Sequence, residues 1–179
     1  MPGIAIEYLR QCFDVDFDTG QLRWRVRPRE HFLSEQGWNV ANTQYAGKSA
    51  GSLSNMGYVR VGISIYSKPQ LVFAHRIVWA LAHGRWPTAI DHRDGNRSNN
   101  SLANLREATR SENNQNTCVP KHNASGFLGV TRRSKIWRAQ IGADGHNYYL
   151  GSFPDQRSAS NAYLAAKARL HPFQPVPRQ

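Results

Sequence analysis

Helical and strand-like periodicities alternate along the chain, and turn residues mark most of the changes. Residues 4–13 (Ile-Ala-Ile-Glu-Tyr-Leu-Arg-Gln-Cys-Phe) have the spacing of a short amphipathic helix. Asp18-Thr19-Gly20 signals a turn, and Gln21 to Arg29 then alternates as a half-buried strand does. On that strand Arg23, Arg25, Arg27 and Arg29 share one face, a candidate row of phosphate contacts, while Trp24 and Val26 take the other. Residues 30–57 are rich in Gly, Ser and Asn, hold Trp38 and Tyr45, and read as an extended loop. Strands are expected at Tyr58–Ile65 and Gln70–Phe73. Residues 76–83 are apolar nearly all round, the mark of a short buried helix, with Gly84 as its C-cap and Pro87 as its stop.

The pattern restarts after residues 116–125, a polar stretch with a proline and no periodicity that reads as a linker. Gly126–Arg133, Ile136–Ile141 and Asn147–Phe153 predict three strands joined by tight turns. Trp137, Ala139 and Ile141 lie on one face of the middle strand, Arg138 and Gln140 on the other. Asp155 is placed to N-cap a helix on which Ala159, Ala162, Tyr163, Ala166 and Leu170 recur at helical spacing. The organisation expected is a domain over 1–115, a linker over 116–125, a second domain over 126–171 and a tail over 172–179.

Composition narrows the partners. Against 12 Asp+Glu stand 23 Lys+Arg, a formal net charge of +11, which implies a polyanion. Five Trp and seven Tyr among the arginines favour nucleic acid over an inert basic surface. The charge is unequally shared: residues 116–179 hold 9 Lys+Arg and 2 acids, the first 115 residues the remaining 14 and 10. Cys12 and Cys118, far apart, exclude zinc-type Cys pairs and argue against a disulfide framework, as suits a reducing cytoplasm. The first residues lack the features of a signal peptide, and no apolar run reaches a membrane span. A soluble protein without a membrane partner is expected.

The chemistry concentrates in residues 91–113. A metal site that hydrolyses phosphodiesters needs an oxygen ligand, a base for water and a second ligand returning from a later element. Ala89-Ile90-Asp91-His92 reads as a strand running into a loop, with Asp91 and His92 on opposite sides. The Asn- and Gly-rich loop Arg93–Asn104 is expected to hold an irregular path through side-chain bonds to backbone. Leu105–Thr109 returns as a second strand. Ser111 then N-caps a short helix with Glu112 and Asn113 in its first turn, giving a ββα unit.

Asp91-His92, Asp94-Gly95-Asn96, Asn99-Asn100, Asn104-Leu105, Thr109 and Glu112-Asn113 resemble the HNH nucleases of phages and mobile introns. Ala74-His75-Arg76 and the stretch from Trp24 to Gly51 extend the resemblance to about residues 5–116. It implies that His92 is the general base, that Asp91 and Asn113 bind the metal, and that Asn104 holds the loop that aims His92. Asn113 stands where many HNH enzymes have their last histidine. An all-oxygen ligand set suits Mg²⁺ or Mn²⁺ rather than Zn²⁺. Arg76 and Arg93 are candidate phosphate contacts, and His75 is expected to serve packing. His31, His83, His122, His146 and His171 have no partner the sequence can name.

Ser125-Gly126-Phe127-Leu128-Gly129-Val130, Trp137-Arg138-Ala139-Gln140-Ile141, Tyr149-Leu150-Gly151-Ser152-Phe153 and Ala162-Tyr163 resemble the APETALA/ethylene-response-factor DNA-binding domains over about residues 123–171. That resemblance implies a sheet laid in the major groove, with Arg132, Arg133, Lys135, Arg138 and Gln140 at the DNA and Trp137 in the core.

Together the two resemblances imply an α+β chain: a ββα-metal (HNH) nuclease domain, then a small three-stranded antiparallel sheet plus helix that binds DNA. The function expected is a divalent-metal-dependent endonuclease of phage or mobile-element type, in the cytoplasm of a bacterial host cell. It would act on double-stranded DNA and nick one strand per active site, so that cutting both strands takes a homodimer or two successive events. Two rivals are a non-enzymatic DNA-binding protein that keeps the HNH unit as scaffold, and a nuclease selective for nucleic-acid shape or for RNA.

Overall fold

The computed structural model describes residues 4–65, 68–120, 122–174 and 177, and divides into two compact units, 1–107 and 108–179. Helices and small antiparallel sheets make up both, an α+β architecture. The division falls earlier than the expected linker, so the short helix after the second active-site strand belongs to the second unit.

In the first unit, α1 (Ile6–Cys12) runs directly into β1 (Phe13–Asp16), which pairs with β2 (Gln21–Trp24). β4 (Val59–Ile65) is the centre of a sheet between β3 (Ser52–Leu53) and β5 (Lys68–Phe73). α3 (Ala74–His83) follows β5 without a loop, and β6 (Ile90–His92) pairs with β7 (Leu105–Glu107). Leu9, Leu22, Val61, Ile63, Val72, Ile77, Val78 and Leu105 meet in one core, which ties β7 to the rest of the unit. Full burial of a Leu, Ile or Val contributes roughly 1.5–3 kcal/mol. α3 buries Ala74, His75, Ile77, Val78, Trp79 and Ala80, and Gly84 caps it at φ 68°, a left-handed conformation that glycine adopts without strain.

The arginine strand ends sooner than its alternation predicts. β2 stops at Trp24, and Val26, expected on the Trp24 face, is exposed. Arg27 turns inward, where its guanidinium lies 4.8 Å from the Trp24 ring centroid and 4.6 Å from that of Phe32. Only 7% of it is exposed, which removes it from the expected phosphate row. Arg25 pairs with Asp14 and donates to the Arg10 carbonyl, while Arg23 donates to Gln21 and to the Gly47 carbonyl.

Residues 30–57 are not one extended loop. They contain α2 (Glu35–Tyr45), capped by the Ser34 hydroxyl, which accepts from the Gly37 N–H. Trp38 and Asn42, one turn apart, both donate to the Arg27 carbonyl, and the Asn42 amide oxygen accepts from the Arg27 N–H. α2 therefore serves the arginine that left the sheet. No residue of α2 is buried, so the apolar stripe by which a helix is read from sequence is missing.

In the second unit, β9 (Ile136–Ala143) lies between β8 (Val130–Arg133) and β10 (His146–Phe153). The first of these strands starts at Val130 rather than Gly126; residues 126–129 form turns in which Gly126 and Gly129 have positive φ. α5 (Gln156–Leu170) begins at Asp155, whose carboxylate accepts from the Ser158 N–H, and it buries Ala159, Tyr163 and Ala166. Ala139, Ile141 and Ala143 alternate inward along β9 while Arg138 and Gln140 face out. In the expected linker, Asn116 and Ser125 are buried and Asn123 folds a turn by bonding Ser125 and the Phe127 carbonyl; Lys121 lies outside the described residues.

Candidate active site

β6 and β7 form a short antiparallel pair in which Asp91 stands opposite Arg106 and His92 opposite Leu105. The pairing sets both reactive positions. Asp91 is buried, and its Oδ2 accepts from Arg106 Nε at 2.9 Å and Nη2 at 2.8 Å. Arg106 was not among the expected site residues; its position opposite Asp91 follows from the register of the strand pair. On the outer side Glu107 receives two bonds from Arg85.

Between the strands, residues 93–104 are held by their own side chains. Asn104 Nδ2 donates to Asp94 Oδ1 and to the Asn99 carbonyl, and its Oδ1 accepts from the Asp94 N–H. Asp94 also accepts from Asn99 Nδ2 and the Asn96 N–H. Burial opposes the Asp94 carboxylate, but the bonds from Asn99, the Asn96 backbone and Asn104 outweigh it and keep its pKa below the ordinary value. Asn104 thus closes the loop by contacts within the loop itself. Arg93 is exposed beside it and its N–H donates to the Asn104 carbonyl.

The residue that meets His92 is Asn100, whose Oδ1 accepts from His92 Nε2 at 3.3 Å with both residues buried. An acceptor on Nε2 selects the tautomer in which Nδ1 carries the lone pair. Burial pushes the pKa of His92 below the usual histidine value, against the Asn100 bond and the nearby charges of Asp94 and Asp91, which raise it. The imidazole is accordingly neutral at neutral pH, the state a proton acceptor needs. Asn100 rests on the β1–β2 turn: a Cβ added to Gly20, at φ 70°, would fall 2.1 Å from the Asn100 carbonyl carbon.

His75 bears on the same ring. Its centroid lies 4.9 Å from that of His92 at 81°, an edge-to-face contact, and it stacks on Phe73 with Tyr58 beside it. Burial, then the charges of His92 and Arg76, push its pKa down to about 3, so it packs as a neutral ring. Arg76, expected at phosphate, instead donates to the Pro87 and Thr88 carbonyls and ties the first turn of α3 to the chain entering β6.

The helix after β7 is α4 (Arg110–Gln115), in the second unit. Its cap is Thr109 rather than Ser111: the Thr109 hydroxyl accepts from the Glu112 N–H while the Glu112 carboxylate accepts from the Thr109 N–H. Asn113 lies on this helix. Asp91, on β6 of the first unit, carries side-chain oxygens of the kind Mg²⁺ and Mn²⁺ accept, and among the described residues no group of three His, Cys, Asp or Glu side chains could hold an ion.

On the outward face of the second unit's sheet, Arg138 lies over Tyr149 at 5.8 Å and Gln140 is exposed. Arg132 lies over Trp137 at 5.7 Å, and Arg133 and Lys135 are exposed. Four of the five remaining histidines have structural partners, and His122 is exposed. His31 stacks on Tyr8 and bonds Gln11, His83 stacks on Trp79, His146 bonds the Asp144 carbonyl and His171 the Gly142 carbonyl.

Residues 72–115 match a family described as HNH endonuclease. Over 80 residues the chain is 41% identical to Protein 3.8 of Escherichia phage T7, a stretch that covers 41% of this chain and 66% of that protein, just under two thirds of its length. Among solved structures it is similar to one described as DNA binding and cleavage by the HNH homing endonuclease I-HmuI. The identity is 21% and the TM-score 0.43, over 96% of this chain and 91% of that one. No helix among the described residues is long and apolar enough to cross a membrane.

Proposed function

We propose that this protein is a divalent-metal-dependent HNH endonuclease that hydrolyses DNA phosphodiester bonds, one strand per active site, with His92 as general base. The observation that carries the reading is the buried, neutral His92, whose Nε2 donates to Asn100 at the end of a strand that begins with Ile90 and Asp91. Nδ1 takes the proton from water, and Asn104 keeps the loop that aims the ring. Asp91 would offer an oxygen ligand to one Mg²⁺ or Mn²⁺, with Asn113 the second ligand that the resemblance to HNH nucleases implies, and the ion would supply positive charge for the departing 3′ oxygen. The outward face of the second sheet, with Arg132, Arg133, Lys135, Arg138 and Gln140, grips double-stranded DNA; Arg23, Arg25 and Arg93 add contacts from the first unit. The match to a phage protein supports a phage or mobile-element origin and work in the cytoplasm of the host.

The second reading, a DNA-binding protein with the HNH unit as scaffold, draws on Arg106, whose two bonds to Asp91 compensate a charge a metal would otherwise use. Supercoiled plasmid separates the two. With Mg²⁺ the protein is expected to yield nicked circles, and EDTA or His92→Ala should remove the product while DNA binding persists. Linear product alongside nicked circles would indicate paired active sites. Binding without cleavage, in Mn²⁺ as well as Mg²⁺, would favour the scaffold.

A further inference from the structure

Two arginines remain beside the His92 cluster without a role in the reading above, and both are anchored on one residue. Arg97, in the active-site loop, donates from Nη1 to the Met56 carbonyl at 3.1 Å and lies over the Tyr58 ring at 5.0 Å. Arg60, on β4, donates from Nη2 to the Met56 sulfur at 3.8 Å and lies over the Phe73 ring at 5.3 Å. Tyr58 packs against Phe73, His75 and His92, so both guanidinium groups belong to the aromatic cluster that holds the base.

Their surroundings lack what a structural pair of cations needs. Among the described residues neither arginine is ion-paired with a carboxylate, and Arg60 Nε is buried with no hydrogen-bond partner. Other arginines around the site are engaged: Arg76 on backbone carbonyls, Arg85 on Glu107, Arg106 on Asp91. A guanidinium seated on an aromatic face keeps its edge N–H groups available, and that fork matches phosphate oxygens. The turn beneath is closed by hydrogen bonds: the Gly57 N–H donates to the Ser54 carbonyl, the Ser54 N–H donates to the Tyr58 carbonyl, and the Ser54 hydroxyl accepts from the Tyr58 N–H. Gly57 takes the turn through a φ of 81°, a left-handed conformation that glycine adopts without strain. The Arg97 charge reaches His92, acting to lower its pKa.

We propose that Arg60 and Arg97 form a phosphate-binding subsite, seated on the Met56–Tyr58 turn, that holds the backbone of the DNA strand being cut beside His92. The assignment rests on the nuclease reading for the word "cut", and on the two arginines alone for the phosphate. Arg97 is the more exposed and reaches the strand; Arg60, packed on Phe73, sets the edge of the subsite.

The test uses the full chain and a short DNA duplex of mixed sequence. In the His92→Ala background, so that DNA stays intact, binding is measured by fluorescence anisotropy across a salt series for Arg60→Gln, Arg97→Gln and Arg97→Lys, with Lys48→Gln as a distant charge change. Each lost phosphate contact should lower the slope of log affinity against log salt by about 0.9, and Arg97→Lys should retain most of it. With His92 intact, plasmid nicking should fall roughly tenfold or more for Arg97→Gln. Thermal melting identifies any variant that fails to fold; Arg97→Gln, at an exposed position, decides the matter if Arg60→Gln does not fold. Slopes that change no more than for Lys48→Gln would overturn the subsite. Slopes that fall as expected in a protein that never nicks DNA would keep the subsite and discard the nuclease.

Discussion

The loop between β6 and β7 and the turn between β9 and β10 solve the same problem, reversing a strand, in opposite ways. The second uses only Asp144 and Gly145, at φ 51° and 77°, which gives the primed turn that suits the twist of a hairpin. The first uses residues 93–104, where short backbone turns are tied together by asparagine and aspartate side chains that hold the path. A tight turn keeps the strands in register and leaves a broad flat face, which suits a surface that grips a duplex. A loop held by side chains can direct one buried group, Asn100, at one ring, His92. The difference shows that presentation needs only a ladder, whereas aim needs a network.

Breaking the network should have the largest effect. Asn104→Ala removes three side-chain hydrogen bonds and is expected to cost roughly 2–4 kcal/mol of first-unit stability. Nicking should fall on the order of a hundredfold in protein that is still folded. Urea unfolding beside plasmid nicking would check both, and unchanged nicking would mean that the loop does not aim His92.

Acid should separate the two units next. His75 is neutral in the folded protein, with a pKa near 3, but titrates near 6.5 once unfolded. The unfolded chain therefore binds more protons between those values. Stability from this source is complete above pH 6.5 and is lost as pH falls toward 3, by up to about 1.4 kcal/mol per pH unit. The lowered pKa of His92 acts in the same direction just below pH 6.5. Hydrogen exchange at pH 5 against pH 7 should show protection lost in β4 to β7 before β8 to β10, and His75→Phe should narrow the gap.

The smallest effect is expected at the tight turn. Asp144→Ala puts an ordinary side chain at positive φ and should cost about 1 kcal/mol, while Asp144→Gly should be nearly neutral. Both should leave nicking at saturating protein unchanged. Melting of the second unit, followed through Trp137, reads the difference.

Elements with a clear period are legible in the sequence. The alternation along β9, the Asp155 cap with its helix and the apolar α3 with its glycine stop all follow from spacing, because burial on one face imposes it. α2 was not legible, since it buries nothing and answers to Arg27, a partner that local sequence does not name. The arginine alternation misled for a related reason: Arg27 satisfies the pattern of an outward row yet lies between two rings. In the active site the asparagines could be recognised as a set, but not which of them meets His92; that depends on a loop path decided by side-chain bonds. The Asp91–Arg106 contact needed only the register of two strands, and the Thr109 cap needed only Glu112 three residues on.

One contact at the foot of the loop reaches further than its size suggests. Gly20 lies in the turn between β1 and β2, outside the loop, yet any side chain there would drive into the Asn100 backbone. On the proposed reading, a single methyl group at that turn would act as an off-switch, displacing the partner of His92 while the outward face of the second unit's sheet stays whole. Mutational drift would then turn a proposed cutter into an occupant of its own target without altering a residue of the HNH pattern.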